Sequence, residues 1–248
     1  MGSWENPRVI VRDRGDEWQV VMQTDHADLS GSFARAWADP GPRHDSVTLA
    51  ARRHDDGWAV WERAPMVDRE TGKPVNFLDV GVPAHLAFYR ACIAAVTEQD
   101  PYSGLLVSMH GAGIYQRRYG RDPGLSVTQA EANKPLVDAF VEEQESGYSE
   151  RVAQAGVDED ERWRDYELLQ LYDRLSLYFC MRDVEGGEDA ELQGYRLEPI
   201  APWHIRMQPF PFAEQPATFS LVRRVLSKGD KPEVLAVAPE DIDIVIEP

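Results

Sequence analysis

The chain has 248 residues, 43% of them hydrophobic, and a formal net charge of −17 from 43 acidic and 26 basic residues. Its length and apolar content suit one large domain, or a domain with a small appendage, built on a real core. Its negative charge argues against nucleic acid or a membrane surface as a general partner, and an anionic substrate would need local Arg or a metal ion to bind.

No apolar run approaches a membrane span, and the start, Trp4-Glu5-Asn6-Pro7, is not a signal peptide. The two cysteines, Cys92 and Cys180, fall inside apolar helical patterns and read as buried thiols of a cytoplasmic protein.

Two short strands, from Arg8 to Arg12 and from Trp18 to Met22, are expected around the turn Asp13-Arg14-Gly15-Asp16. Thr24 or Asp25 can cap a helix running to about Ala38, where Asp39-Pro40-Gly41-Pro42 stops it. On that helix His26 shares a face with Leu29, Phe33 and Trp37, so it points inward. His44-Asp45 falls at the next helix start, with Asp45 or Ser46 as its cap. The helix from Ser46 to about Asp56 puts Val47, Ala50, Ala51 and His54 on one side. Gly57 is expected to end it in the left-handed conformation.

Residues 62 to 80 read as a long loop of the kind that often carries function. Pro83 opens a helix to about Gln99, with Leu86, Tyr89, Ile93 and Val96 on its core side. His85, near its start, reads as a surface residue. Leu105 to Gly113 is a buried helix or a buried strand; the helix is preferred, because no G-x-S-x-G elbow accompanies the esterase-like alternative. As a helix it places His110 beside Leu106, Val107 and Ile114. Arg117, Arg118 and Arg121 form the densest basic cluster, and Arg117 is the candidate substrate-binding residue. Gln129 to Ala155 reads as polar helix interrupted near Gly147. Asp158 to Glu161 then begin a long helix to about Asp183. On it Asp173 lies in an apolar stripe with Leu169, Ser176, Leu177 and Cys180. A carboxylate there needs a metal, a cation or a proton. From Leu192 onward, runs at 195–199, 203–208, 218–225, 234–237 and 242–246 suggest a small antiparallel sheet. The alternation puts His204 on its polar face, away from any metal site. The N-terminal strand pair can complete that sheet.

His26, His54, Asp55 and Asp173 thus supply two imidazoles and two carboxylates as candidate ligands of a divalent transition metal, Mn, Fe, Co, Ni or Zn. Asp55 and His110 are the candidate catalytic residues. His110 is left as ligand of a second metal, acid, or phosphate ligand.

The order His, His-Asp, Asp resembles the HD superfamily of metal-dependent phosphohydrolases. The fuller wording is similar to an uncharacterised bacterial family, domain of unknown function 3891. The matching pieces are Gln23-x-x-His26-Ala27 with Ser30-Gly31, His54-Asp55-Asp56-Gly57-Trp58, Leu106-Val107-Ser108-Met109-His110-Gly111, Asp173-x-Leu175-Ser176 and Pro209-Phe210-Pro211-Phe212. The resemblance implies a mainly α (α+β) protein: an HD-like helical bundle over residues 1–191, with a small antiparallel β appendage over 192–248. It further implies hydrolysis of a small phosphorylated molecule. The alternatives are a non-catalytic metal-binding sensor or scaffold and an iron-dependent oxygenase of HD type. A homo-oligomer is left open.

Overall fold

The computed structural model describes residues 9–64, 67–68, 70–121, 130–182, 184, 187–228 and 233–248. Strands β1 (Ile10–Asp13) and β2 (Glu17–Val21) form the expected antiparallel hairpin, with Gly15 at φ +81° in the turn. Helix α1 (Gln23–Ala36) follows at once. Its cap is not Thr24 or Asp25. The Glu62 carboxylate accepts the Gln23 N–H and the Thr24 hydroxyl. This buried acid closes the helix start from outside the segment, and burial raises its pKa to about 7.

Helix α2 (His44–Arg53) and the short α3 (Ala59–Glu62) flank a single 3-10 turn, Asp56–Trp58. Gly57 does not take the expected left-handed conformation; it lies inside that turn. A Cβ at Gly57 would stand 2.2 Å from the Phe88 carbonyl oxygen, so close approach to the next helix is what requires glycine here. The loop at 62–80 holds a 3-10 turn, Phe77–Asp79, and single bridges Val67–Pro74 and Val9–Asn76; Pro65 lies outside the described residues. Helix α4 (Val82–Gln99) carries Pro83 in its first turn, close to the expected start. The ambiguous run is helix α5 (Pro101–Tyr115), which buries every residue from Tyr102 to Ile114. A helix enclosed on all sides has no apolar face, which is why periodicity alone could not separate it from a strand. Helices α6 (Lys134–Glu145), α7 (Tyr148–Ala155) and α8 (Glu159–Met181) follow; Gln129 lies outside the described residues. Asp158 caps α8 by accepting the Glu161 N–H at 2.8 Å.

The C-terminal strands are β3 (Ala190–Leu192), β4 (Tyr195–Ala201), β5 (His204–Gln208), β6 (Ala217–Ser227) and β7 (Glu240–Glu247). The run at 234–237 is a 3-10 turn, not a strand. All seven strands form one sheet in the order β1-β2-β6-β7-β5-β4-β3, mixed because β5 and β7 run parallel. This corrects the expected architecture: the fold is α+β with a large sheet, not an HD-like helical bundle with a small β subdomain. The N-terminal pair completes the sheet as expected, because the 11-residue β6 pairs β2 on one side and β7 on the other. The physical reason for the correction is that this pairing makes one large sheet and not a small subdomain. The expected boundary at 191/192 falls inside β3. Helix α1 lies on the sheet through Phe33, whose ring meets Phe212 and Phe219, and it meets α8 through Phe179.

Candidate functional site

Five helices converge on one buried polar cluster. Helix α1 brings His26. The end of α2 brings His54, and Asp55 follows it. Helix α4 brings Tyr89 and α5 brings His110. Helix α8 brings Gln170, Asp173 and Ser176, one helical turn apart on a single stripe. None of these residues is more than 7% exposed. Helices α1 and α2 can come this close because Gly31 faces Arg52, where a Cβ would stand 2.8 Å from its Cα.

His26 Nε2 lies 3.2 Å from Asp55 Oδ2 and 3.9 Å from Asp173 Oδ1. His54 Nε2 lies 3.8 Å from Asp55 Oδ2 and 3.5 Å from Asp173 Oδ1. The other ring nitrogens determine how these face the centre. His54 Nδ1 is 2.8 Å from the Ala51 carbonyl, which only accepts, so Nδ1 donates and Nε2 of the neutral ring is bare. His26 Nε2 meets Asp55 Oδ2, which only accepts, so Nε2 donates there, while His26 Nδ1 is 2.7 Å from the Ser176 hydroxyl. A neutral His54 therefore sets a bare Nε2 against the Asp55 and Asp173 carboxylates, acceptor against acceptor. Among the described residues His54 Nε2 has no partner in hydrogen-bond geometry, although Asp173 Oδ1 stands 3.5 Å away. With neutral imidazoles the cluster holds two negative charges against the one positive charge of Arg118, so it needs a proton or a cation.

The titration behaviour agrees. Burial disfavours charge on His54, yet Asp55 and Asp173 outweigh it and raise its pKa to about 9. Against the same burial, His54 and His26 hold Asp55 at about 2, and His54, His110 and Arg118 hold Asp173 below the ordinary carboxylate range. His110 goes the other way: burial and the Arg118 cation push it well below 6.5.

His26, His54 and Asp173 each offer a ligand atom within 4.8 Å of one another, and so do His54, Asp55 and His110. The donor set, imidazole nitrogen with carboxylate oxygen, suits a divalent transition ion.

The family model for proteins of unknown function DUF3891 matches residues 9–228. The chain belongs to this family. No match was found among curated proteins or among solved structures. The DUF3891 span contains every residue of the cluster, and the comparisons do not extend the match to the HD superfamily.

Of the residues expected from sequence, His26, His54, Asp55, His110 and Asp173 come together in this DUF3891 chain. Arg117 does not: it is exposed, and its neighbour Arg118 enters the cluster instead. Arg118 Nη2 lies 3.5 Å from Asp173 Oδ2, and the same guanidinium donates to Gln170. The backbone explains the exchange. Arg117, Arg118 and Tyr119 all have φ near +50°, and this left-handed turn reverses which side chain points inward. His85 is not a free surface residue. It is half-buried, 2.5 Å from the Tyr115 hydroxyl, and burial lowers its pKa to about 4. His204 stays away from the cluster, 3.4 Å from Glu247. Tyr89 and Gln170 carried no signal beyond their helical stripes, and Ser176 showed only as part of a sequence motif.

Proposed function

We propose that the protein is a metal-dependent hydrolase of phosphate esters acting on a small phosphorylated molecule. One observation carries the reading: His54 Nε2 is fully buried, meets no hydrogen-bond partner among the described residues, and faces the Asp55 and Asp173 carboxylates. His26, His54, Asp55 and Asp173 would hold the ion. A divalent ion would supply a Lewis acid that offsets charge on a phosphoryl group and lets water ionise near neutral pH. The protein's own part is to orient and to balance charge. Ser176 and the Ala51 carbonyl keep His26 and His54 turned inward, while Arg118 supplies a forked donor beside Asp173 that suits phosphoryl oxygens. The likeness to HD phosphohydrolases is confined to ligand order, because the fold differs.

The burial of the whole cluster favours a second reading, a metal-holding protein without turnover. Elemental analysis of wild type and His54→Ala, followed by a phosphate-ester panel with Mn²⁺, Co²⁺ and Ni²⁺, separates the two. The expected result is metal in wild type only, with hydrolysis that Asp55→Ala abolishes. Equal metal in both proteins ends the metal reading; metal without hydrolysis favours the second.

A further inference from the structure

The proton count around His110 closes in one way. Its Nδ1 faces Arg118 Nη1 at 3.2 Å and Gln170 Nε2 at 3.1 Å. A guanidinium only donates. Arg118 also donates to Gln170 Oε1, which leaves the amide NH₂ turned to His110. Nδ1 therefore meets two donors and carries no proton, and a neutral ring has its proton on Nε2. An imidazolium would set a third donor against those two. On the far side Nε2 is 3.4 Å from the Tyr89 hydroxyl. That hydroxyl donates to Asp55 Oδ1 at 3.1 Å, so its oxygen accepts from Nε2.

We propose that His110 is a neutral, Nε2-protonated imidazole, held so by Arg118 and Gln170, and that it orients Asp55 through Tyr89 instead of joining His54 and Asp55 around a second ion. The grouping of His54, Asp55 and His110 within 4.8 Å suggests such an ion by distance alone. Binding it would strip the Nε2 proton, leaving an imidazolate, or move that proton to Nδ1 against Arg118 and Gln170. The site then holds one ion, and His110 is a positioning residue. The single-ion statement rests on the metal reading above; the tautomer does not.

Heteronuclear NMR of the full chain with isotope-labelled histidine tests both parts, first without metal and then with Zn²⁺. The His110 signals are those lost in His110→Gln. In metal-free protein at neutral pH they are expected to show a protonated Nε2 and a bare Nδ1. Zn²⁺ is expected to shift the ring nitrogens of His26 and His54 and to leave those of His110 in place. A proton on Nδ1, an imidazolium spectrum, or a zinc shift at His110 as large as that at His54 overturns the proposal. Zinc that shifts none of the three removes the metal reading, while the metal-free spectrum still decides the tautomer. Should His110→Gln not fold, Gln170→Glu replaces it. A carboxylate facing Nδ1 draws the proton there, so one histidine is expected to change its tautomer or charge, and an unchanged spectrum overturns the proposal.

Discussion

Asp173 meets both imidazole and Arg, where the sequence left a metal, a cation or a proton open. His54 Nε2 and Arg118 Nη2 each stand 3.5 Å from one of its carboxylate oxygens. Asp173→Ala is therefore expected to lose both ion content and stability, because Arg118 keeps its charge in a buried place. Removing one member of a buried pair costs roughly 3–5 kcal/mol. Elemental analysis with urea unfolding checks this, and full ion occupancy in the mutant would take Asp173 out of the site. The pH response follows from His54. Its folded pKa, about 9, lies above the unfolded value near 6.5. In chelated protein its contribution is fully present below about pH 6.5 and is lost as pH rises through 9, on the order of 3 kcal/mol. Ion binding needs the neutral ring, so ion affinity is expected to rise across the same window. Melting curves of chelated and ion-loaded protein from pH 6 to roughly 9.5 should therefore diverge; parallel curves would mean that His54 is not protonated in the ion-free state. The five clustered residues were legible because a polar side chain on an apolar helical face stands out against its neighbours. Arg118, Tyr89 and Gln170 were not, since nothing local separates them from surface or core residues.

At the scale of elements, the left-handed turn after α5 places the cation. Three consecutive non-glycine residues at positive φ are costly, on the order of 1–2 kcal/mol each, and they persist where surrounding structure holds them. Arg117 is exposed, so Arg117→Gly is expected to relieve strain and stabilise the protein by about 1 kcal/mol without touching the cluster. Arg118→Met should instead lower hydrolysis sharply. Thermal melts and phosphate-ester assays of the two variants side by side give the answer, and equal loss of activity in both would remove Arg118 from its role. A sequence can show that three Arg lie close together, but not which one a reversed turn sends inward. Gly57 carries the same lesson. A helix-ending glycine suggested a left-handed cap, whereas its actual constraint is the Phe88 carbonyl, a contact between segments distant in sequence. The cap of α1 from Glu62 is a third case, invisible to any rule confined to the helix's own first turn.

On the scale of the whole molecule, the sheet is where local pattern and architecture part. Alternation located β4 to β7 and the N-terminal pair closely enough, but pairing across the chain is set by which faces must be buried together. Helix α1 ties the sheet to the site. Phe33 and His26 are seven residues apart on one stripe of that helix, the first against Phe212 and Phe219, the second in the cluster. Strand β7 is central, hydrogen-bonded to β6 on one side and β5 on the other, so the C-terminal segment is not peripheral. A fragment of residues 1–191 would leave β2 without β6, and Phe33 and Trp37 without Phe212. An unpaired two-stranded hairpin is marginal in water, and the uncovered aromatic face of α1 would have nothing to bury against. The fragment is therefore expected to lack a cooperative unfolding transition and to bind no metal, whereas the full chain should unfold in a single step. Circular dichroism melts and elemental analysis of both proteins test this. A folded, metal-loaded 1–191 fragment would make the sheet's C-terminal strands an appendage after all, and would place the determinants of the site wholly within the helices.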